Sequence, residues 1–134
     1  MNFLLDTDTC SFLINGSAEQ ARRKFLGALD SDVRMSIVTL GELLVGCALR
    51  VKDSELRDRV SAFIAIVTPL AMDQEVASHY ASIRAGLKTK GTPIGANDLW
   101  IAAHARSAGM TLVSHNTREF KRVPDLALED WMAP

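Results

Sequence analysis

The sequence predicts an α/β fold, a three-layer α/β/α sandwich with a mostly parallel central sheet. Short apolar segments typical of buried strands alternate along the chain with longer segments whose apolar residues recur at helical spacing. Such alternation produces a parallel sheet covered by helices on both faces. The chain has 134 residues, of which 48% are hydrophobic and 23% are charged. This length and composition, without a repeat or a linker, predict a single domain over residues 1–134.

Five short apolar segments are predicted to be strands. In chain order they lie at residues 3–5, 34–38, 68–71, 111–114 and 126–131. The first strand ends at Asp6, an acid placed directly after a buried run. The third contains Pro69, which has no backbone N–H to donate to a neighbouring strand. We therefore expect the third strand at an edge of the sheet or in a connection.

The longer segments between the strands are predicted to be helices. In chain order the helices start at residue 8 and then cover residues 17–29, 39–50, 54–66, 73–90 and 96–108, with a helical turn from residue 116. Gly16 separates the first two and Gly109 ends the sixth, because glycine interrupts helices. Asp53 or Ser54 caps the fourth, since both side chains accept hydrogen bonds from the free amides of a helix N-terminus.

The composition argues against a membrane or secreted protein. No apolar run approaches the length that spans a bilayer. The first residues lack the basic start and long apolar core of a secretion signal. We therefore expect the chain in the cytoplasm. Cys10 and Cys47 fit no metal-binding spacing, and in that compartment two free thiols in the core are expected rather than a disulfide.

The net charge of −1 favours no class of partner, but the basic residues are unevenly distributed. Residues 84–122 contain seven bases and only two acids, Asp98 and Glu119. The bases are Arg84, Lys88, Lys90, Arg106, Arg118, Lys121 and Arg122. Such an excess can attract a phosphate backbone, and a solvated helical surface would show the same pattern.

Polar residues follow the predicted strands at the points where the strands end. Asp6 follows the first strand, and Glu42 lies in the first turn after the second. Asp98 begins an otherwise apolar helix, and Asn116 and Glu119 follow a later strand. Taken singly, each of these residues could be a helix cap or a capping-box partner. Together they would converge on the carboxyl edge of one parallel sheet, where ligands bind in such folds.

Several carboxylates in one pocket need a cation or raised pKa values. Two carboxylates about 5 Å apart repel each other by about 3 kcal/mol at an effective dielectric constant of about 20. Ligands that are all oxygen suit Mg²⁺, with Mn²⁺ as the alternative, and no His or Cys set with zinc spacing competes. A cation held in this way suits phosphodiester hydrolysis. The acids therefore predict a metal-dependent nuclease.

Four segments resemble the motifs of PIN-domain proteins, and their combination resembles the VapC toxins of VapBC toxin–antitoxin modules. They are LLDTD at residues 4–8, SIVTLGEL at 36–43, ANDLWIAAHA at 96–105 and LVSHNTREF at 112–120. With Val123, Pro124 and Trp131, the similarity extends over nearly the whole chain. It implies a PIN-like fold and a Mg²⁺-dependent endoribonuclease. Such a toxin cuts structured RNA such as tRNA, in some members initiator tRNA, and inhibits translation and growth.

The resemblance also implies roles for individual residues. It implies that Asp6, Glu42 and Asp98 are the catalytic and metal-binding residues. Glu42 would either bind the metal or position or deprotonate the attacking water. Many PIN domains carry a fourth aspartate in the last motif, and here Asn116 or Glu119 would take that position. Support for these ligands is expected from Thr7, Asp8 and Ser36. Asp8 replaces the usual Asn and either adds charge or caps the next helix.

RNA and protein partners follow from the same resemblance. RNA contacts are expected from Arg84, Lys88, Lys90, Arg118, Lys121 and Arg122. A VapB-type antitoxin is expected to neutralise the toxin by placing its tail, often with an arginine, in a groove beside the acids. Helices around Leu13 and over residues 55–66 would wall this groove. A homodimer and a toxin–antitoxin hetero-oligomer that binds its own operator DNA through the antitoxin are also implied.

Other interpretations of the sequence remain open at this point. Trp100 and Trp131 are candidates for stacking on bases, but Trp100 lies in an apolar helix, which favours core or dimer packing for it. No general-base role falls to any of the three histidines. The missing fourth aspartate leaves a non-catalytic module that binds RNA or protein as an alternative. A deoxyribonuclease of the same fold is a further one.

Overall fold

The central sheet has five strands, all parallel, in a computed structural model that describes residues 1–134. The strands are β1 (Asn2–Leu5), β2 (Asp32–Ser36), β3 (Thr68–Leu70), β4 (Thr111–Val113) and β5 (Leu128–Glu129). Their order across the sheet is β3-β2-β1-β4-β5. β1 therefore lies at the centre, and β3 lies at an edge, as its proline predicts.

Seven helices surround the sheet. They are α1 (Thr7–Asn15), α2 (Glu19–Gly27), α3 (Ile37–Leu49), α4 (Ser54–Ile66), α5 (Gln74–Thr89), α6 (Ala96–Ala108) and α7 (Thr117–Phe120). Asp53 caps α4 by accepting a hydrogen bond from the Leu56 amide. Gly16 and Gly109 end α1 and α6 with positive φ angles of 67° and 66°, a conformation in which glycine carries no steric penalty. None of the helices combines the length and hydropathy needed to cross a bilayer.

The central strand is buried on both of its faces. Successive side chains of a strand point to opposite sides, so Phe3 and Leu5 pack with α1–α4 and Leu4 packs with α5 and α6. Leu4 and Leu5 are completely buried. Cys10 is buried and Cys47 half-buried, and both are free thiols, as expected. The three layers of the predicted α/β/α sandwich are confirmed.

The boundary between β2 and α3 differs from the prediction. A strand was expected at residues 34–38 and a helix from residue 39, whereas α3 begins at Ile37. The cause is Ser36, whose Oγ accepts a hydrogen bond from the Val38 amide at 3.2 Å and caps the helix. Thr39 is consequently a buried residue inside the first turn. The alternative that Glu42 is the partner of a capping box, which the helix start expected at Thr39 would have allowed, is therefore wrong.

The chain reverses its direction across the sheet beside β1. It proceeds outward from β1 to β2 and β3, and then returns to place β4 on the other side of β1. Such a reversal opens a crevice at the carboxyl ends of the strands. The Asp6 amide donates to the Val113 carbonyl at 3.0 Å and ties the ends of β1 and β4 together. The residues that follow these two strands are thus neighbours.

Candidate active site

Asp6 lies at the end of β1, in the floor of this crevice, and is 3% exposed. Its Oδ1 accepts a hydrogen bond from the Thr9 amide at 2.9 Å, so the residue caps α1. Burial raises the pKa of Asp6, while hydrogen bonds from Ser114 and Thr9 oppose the rise. The capping alternative is therefore confirmed, and a carboxylate that accepts these bonds still has further lone pairs for a cation.

Glu42 reaches the same crevice from α3. The Thr7 hydroxyl donates to Glu42 Oε1 at 2.6 Å and lies 3.1 Å from the Thr39 hydroxyl. A hydroxyl has a single proton, so Thr7 accepts from Thr39 while it donates to Glu42. This chain of two hydroxyls fixes one carboxylate oxygen of Glu42 and leaves the other unbound.

Asp98 enters from the first turn of α6. Its pKa is raised to about 6, chiefly by burial and then by the negative charges of Asp6, Glu119, Asp8 and Glu42. Each of these four acids is therefore close enough to Asp98 to disfavour its charged form. The predicted convergence of acids from four distant parts of the chain is present.

A cavity of about 480 Å³ opens between these residues. Its lining consists of Asp6, Thr7, Asp8, Glu42, Gly95, Ala96, Asn97 and Asp98. The lining contains four carboxylates and no basic, histidine or cysteine side chain. Such a set of oxygen donors suits a hard divalent cation. Asp8 thus contributes charge to the cavity from the first turn of α1.

Glu119 and Asn116 approach the acids from α7 and its N-cap. Asn116 Nδ2 donates to Glu119 Oε2 at 2.9 Å, and the Asn116 amide donates to Ser114 Oγ at 2.9 Å. Asn116 makes no side-chain cap of its own helix. The negative charge of Glu119 is among the causes that raise the pKa of Asp98, so Glu119 lies near the cluster, but neither Glu119 nor Asn116 lines the cavity.

Comparison with known proteins places this arrangement in a family. The family model described as PIN domain matches residues 3–126. The chain is 39% identical to the tRNA(fMet)-specific endonuclease VapC of Salmonella typhimurium, over 98% of each protein. The chain belongs to the VapC family of PIN-domain ribonucleases. It is also 33% identical to Ribonuclease VapC2 of Rickettsia felis, again over 98% of each protein.

Solved structures of VapBC complexes have the same fold. One is VapBC2 from Rickettsia felis bound to a DNA fragment from their promoter, with a TM-score of 0.91 at 30% identity, covering 98% of this chain and 99% of that one. Another is DNA-bound VapBC from Salmonella typhimurium, with a TM-score of 0.90 at 38% identity and 98% coverage of both chains. The PIN-like fold predicted from the four motifs is confirmed.

PIN nucleases depend on divalent metal, and the chemistry of this VapC chain fits that dependence. The cavity lining supplies only oxygen donors, and the raised pKa of Asp98 reports negative charge that no protein cation balances. No group of three His, Cys, Asp or Glu side chains lies close enough together to hold an ion in the present arrangement. The fit thus rests on the donor set and its charge.

Ser36 and His104 form a pair beneath the site of this VapC chain. Ser36 was expected to support the metal ligands, but its Oγ bonds the Val38 amide and His104 Nδ1, the latter at 2.8 Å, and no carboxylate. Both side chains are buried, with His104 1% exposed. The bond joins the start of α3 to α6, the helices that carry Glu42 and Asp98. Ser36 therefore stabilises the packing of α3 against α6, and the expectation that it bonds a metal-binding carboxylate is wrong.

The basic residues and tryptophans divide into structural and exposed groups. Arg106 bonds His79 and the Pro124 carbonyl, so its donors serve the fold. Trp131 is buried against Phe3, so it packs in the core and the expectation that it stacks on bases is wrong. Trp100 stacks on Tyr80 with ring centroids 3.7 Å apart, which also favours packing over base stacking. Arg84, Lys88, Lys90, Arg118 and Lys121 are exposed, and Arg122 is half-buried.

Removing the Asp98 charge is expected to stabilise the metal-free protein. Because the folded-state pKa is raised from 3.8 to about 6, the folded chain binds the proton more tightly, and its stability falls as the pH rises between those values. Allowing for solvent screening of a half-buried group, Asp98→Asn should gain about 1–2 kcal/mol at pH 7. Urea unfolding in EDTA measures this gain. Equal stability of the two proteins would show that the charges do not repel.

Proposed function

We propose that the chain is a metal-dependent endoribonuclease toxin that hydrolyses RNA phosphodiester bonds at Asp6, Glu42 and Asp98. The observation that supports this most directly is the convergence of four negative charges on Asp98 inside a crevice lined by oxygen donors. We further propose that residues 1–134 fold as one domain and act in the cytoplasm. One sheet containing both the first and the last strand supports the single domain.

The proposed cation is Mg²⁺, with Mn²⁺ as a substitute, held by Asp6 and Asp98 with Glu42 as a further ligand. When bound, such a cation lowers the pKa of a water and stabilises negative charge on the phosphate. Glu42 would orient that water or accept its proton, and the bond from Thr7 to only one of its oxygens supports this role. Glu119, held by Asn116, would contribute through a water or as a further ligand.

The proposed substrate is a structured RNA, in the first instance a tRNA. The relatives from Salmonella typhimurium and Shigella flexneri, 39% and 37% identical, are tRNA(fMet)-specific endonucleases. We extend this substrate to the present chain, with initiator tRNA as the first candidate. The exposed bases at Arg118 and Lys121 on and beside α7, together with Arg84, Lys88, Lys90 and Arg122, offer contacts to its backbone.

The proposed inhibitor is a VapB-type antitoxin whose tail occupies the groove between α1, α3 and α4. This groove has a volume of about 300 Å³ and combines apolar residues such as Ile14, Leu43 and Leu56 with Glu42 at its end. Both walls named from the sequence, α1 and α4, line it. A basic residue of the tail could therefore extend into the acids. By analogy with the VapBC complexes, we propose a toxin dimer and antitoxin-mediated operator binding.

The test of the nuclease proposal is expression of the chain in bacteria beside Asp98→Asn. Sequencing of RNA 5′ ends after growth stops should reveal discrete cuts in one or a few tRNAs, absent with the variant. Purified protein should lose the same cuts in EDTA and regain them with Mg²⁺ or Mn²⁺. A soluble protein that neither cuts RNA nor slows growth would support the non-catalytic module, and cuts in DNA alone would support a deoxyribonuclease.

A further inference from the structure

A second cavity lies beside the acidic one, on the side of α5. It has a volume of about 360 Å³ and is formed by the C-terminal half of α5, residues 93–94 and the start of α6. Leu87 and Leu99, both nearly buried, and Ile94 form apolar walls. Tyr80 adds an aromatic ring that is fixed by its stack on Trp100. The size falls in the range of about 300–1,000 Å³ that is typical of small-molecule sites.

Two cations border this apolar cavity, and neither is neutralised. Arg84 and Lys88 both line it, and neither belongs to any of the ion pairs of the protein. Arg84 Nη1 donates to the Tyr80 hydroxyl at 2.8 Å, which fixes the guanidinium and leaves its other N–H donors available. An apolar space with fixed, unpaired donors at its border matches a ligand that has a flat apolar part and a negative part.

The second cavity adjoins the acidic cavity. Ala96 lines both, and only Gly95 separates it from Ile94 of the second cavity. The connecting loop is held in place from outside, because Arg122 Nη1 donates to the Pro93 carbonyl at 3.0 Å. A linear polymer bound across the acids would therefore place the neighbouring monomer at the mouth of the second cavity.

We propose that this second cavity binds one nucleotide of the RNA, adjacent to the bond that is cut. The base lies among Leu87, Ile94 and Tyr80, and its phosphate contacts Arg84 and Lys88. The inference rests on the proposed function, since it assumes that RNA crosses the acids. An apolar contact with a second copy of the chain would leave the two cations at the border without a counter-charge. The phosphate of a nucleotide would supply one, so a nucleotide fits the cavity better.

The experiment separates the base from the phosphate by measuring binding in EDTA, where no cleavage is expected. The probes are a fluorescein-labelled single-stranded RNA decamer and a matched decamer of ribose and phosphate without bases, at 50 mM NaCl. The proteins are the full chain, Lys88→Gln, Ile94→Trp, and Lys52→Gln as the matched control for loss of one exposed lysine. Unfolding curves confirm that each variant folds.

The wild-type protein should bind the base-bearing decamer about tenfold more tightly than the abasic one. Ile94→Trp fills the cavity, so it should remove this preference and leave affinity for the abasic decamer unchanged. Lys88→Gln should weaken both probes about fivefold to tenfold, whereas Lys52→Gln should change either by less than about twofold. If Ile94→Trp does not fold, the same two affinities are measured with Leu99→Met and Ile94→Phe, which change the cavity less.

Retention of the full base preference in the folded Ile94 variants overturns the proposal. So does a change confined to the dimer dissociation constant, because the cavity would then belong to a subunit contact. RNA cleavage is scored separately from these measurements. If the protein cuts RNA but shows no base preference that depends on the cavity, only the nucleotide-binding proposal is contradicted. If it shows that preference but cuts no RNA, only the nuclease proposal is contradicted.

Discussion

Asp98→Asn and Asp6→Asn should each lower the rate of RNA cleavage about 1,000-fold or more, which corresponds to about 4 kcal/mol of lost transition-state stabilisation. An amide retains the shape of the carboxylate but not its charge, so neither variant can balance a divalent cation. The fold should persist, because Asn caps helices as well as Asp and the Thr9 amide keeps an acceptor at position 6. Cleavage of the mapped RNA under single-turnover conditions with Mg²⁺ is the measurement.

Asp58→Asn is the matched control for the removal of one carboxylate. Asp58 is exposed on α4 and forms no ion pair, so its loss should leave cleavage within about twofold of the wild-type rate. Mg²⁺ should also raise the unfolding midpoint of the wild-type protein and not that of Asp98→Asn, since a ligand stabilises only the state that binds it. Rapid cleavage by either site variant in Mg²⁺ would place the active site elsewhere.

His104→Ala should lower the free energy of unfolding by about 2–4 kcal/mol, because it leaves a cavity and removes one of the two hydrogen-bond partners of the buried Ser36 hydroxyl. The ring is 1% exposed and connects the start of α3 to α6. Its loss should also loosen the relative placement of Glu42 and Asp98. Cleavage should fall more than the fraction of folded protein does, and urea unfolding together with kcat measures both effects.

The pH dependence of stability provides an independent check on His104. Burial lowers the pKa of this imidazole below 6.5, although the Ala71 backbone and the charge of Asp73 oppose the shift. The unfolded chain therefore binds the proton more tightly, and the stability due to the neutral ring is present above pH 6.5 and lost as the pH falls below it. His104→Ala should lack this loss.

The positions of the principal acids could be predicted from the sequence because a simple rule governs them. Residues that follow parallel strands gather at one edge, so the order of the segments was sufficient to bring Asp6 and Glu42 together. Asp98 follows α5 and a loop rather than a strand, so its place at the start of an apolar helix and its resemblance to the third motif were the only signals for it. Knowledge of the strand order was not required. The same rule could have identified Ser114, which directly follows β4 and hydrogen-bonds Asp6, but a serine carries no charge to draw notice.

The contacts inside the fold could not be predicted in the same way. His104 lies within an apolar helix, and nothing in the sequence connects it with Ser36, 68 residues away. The start of α3 was misplaced because Ile37 and Val38 are β-formers, and the Ser36 cap overrides that preference. Similarly, the excess of bases at residues 84–122 could not distinguish Arg106, engaged by His79, from the unpaired Arg84.

The order in which the sheet is assembled has a consequence for the synthesis of the chain. The central strand β1 is synthesised before its partner β4 and before the acids at positions 98 and 119. Any product released before residue 111 lacks β4 and leaves one edge of β1 without a partner. The proposed target belongs to the machinery that makes the protein. A nascent chain of this topology cannot attack that machinery until β4 and these acids have also been synthesised.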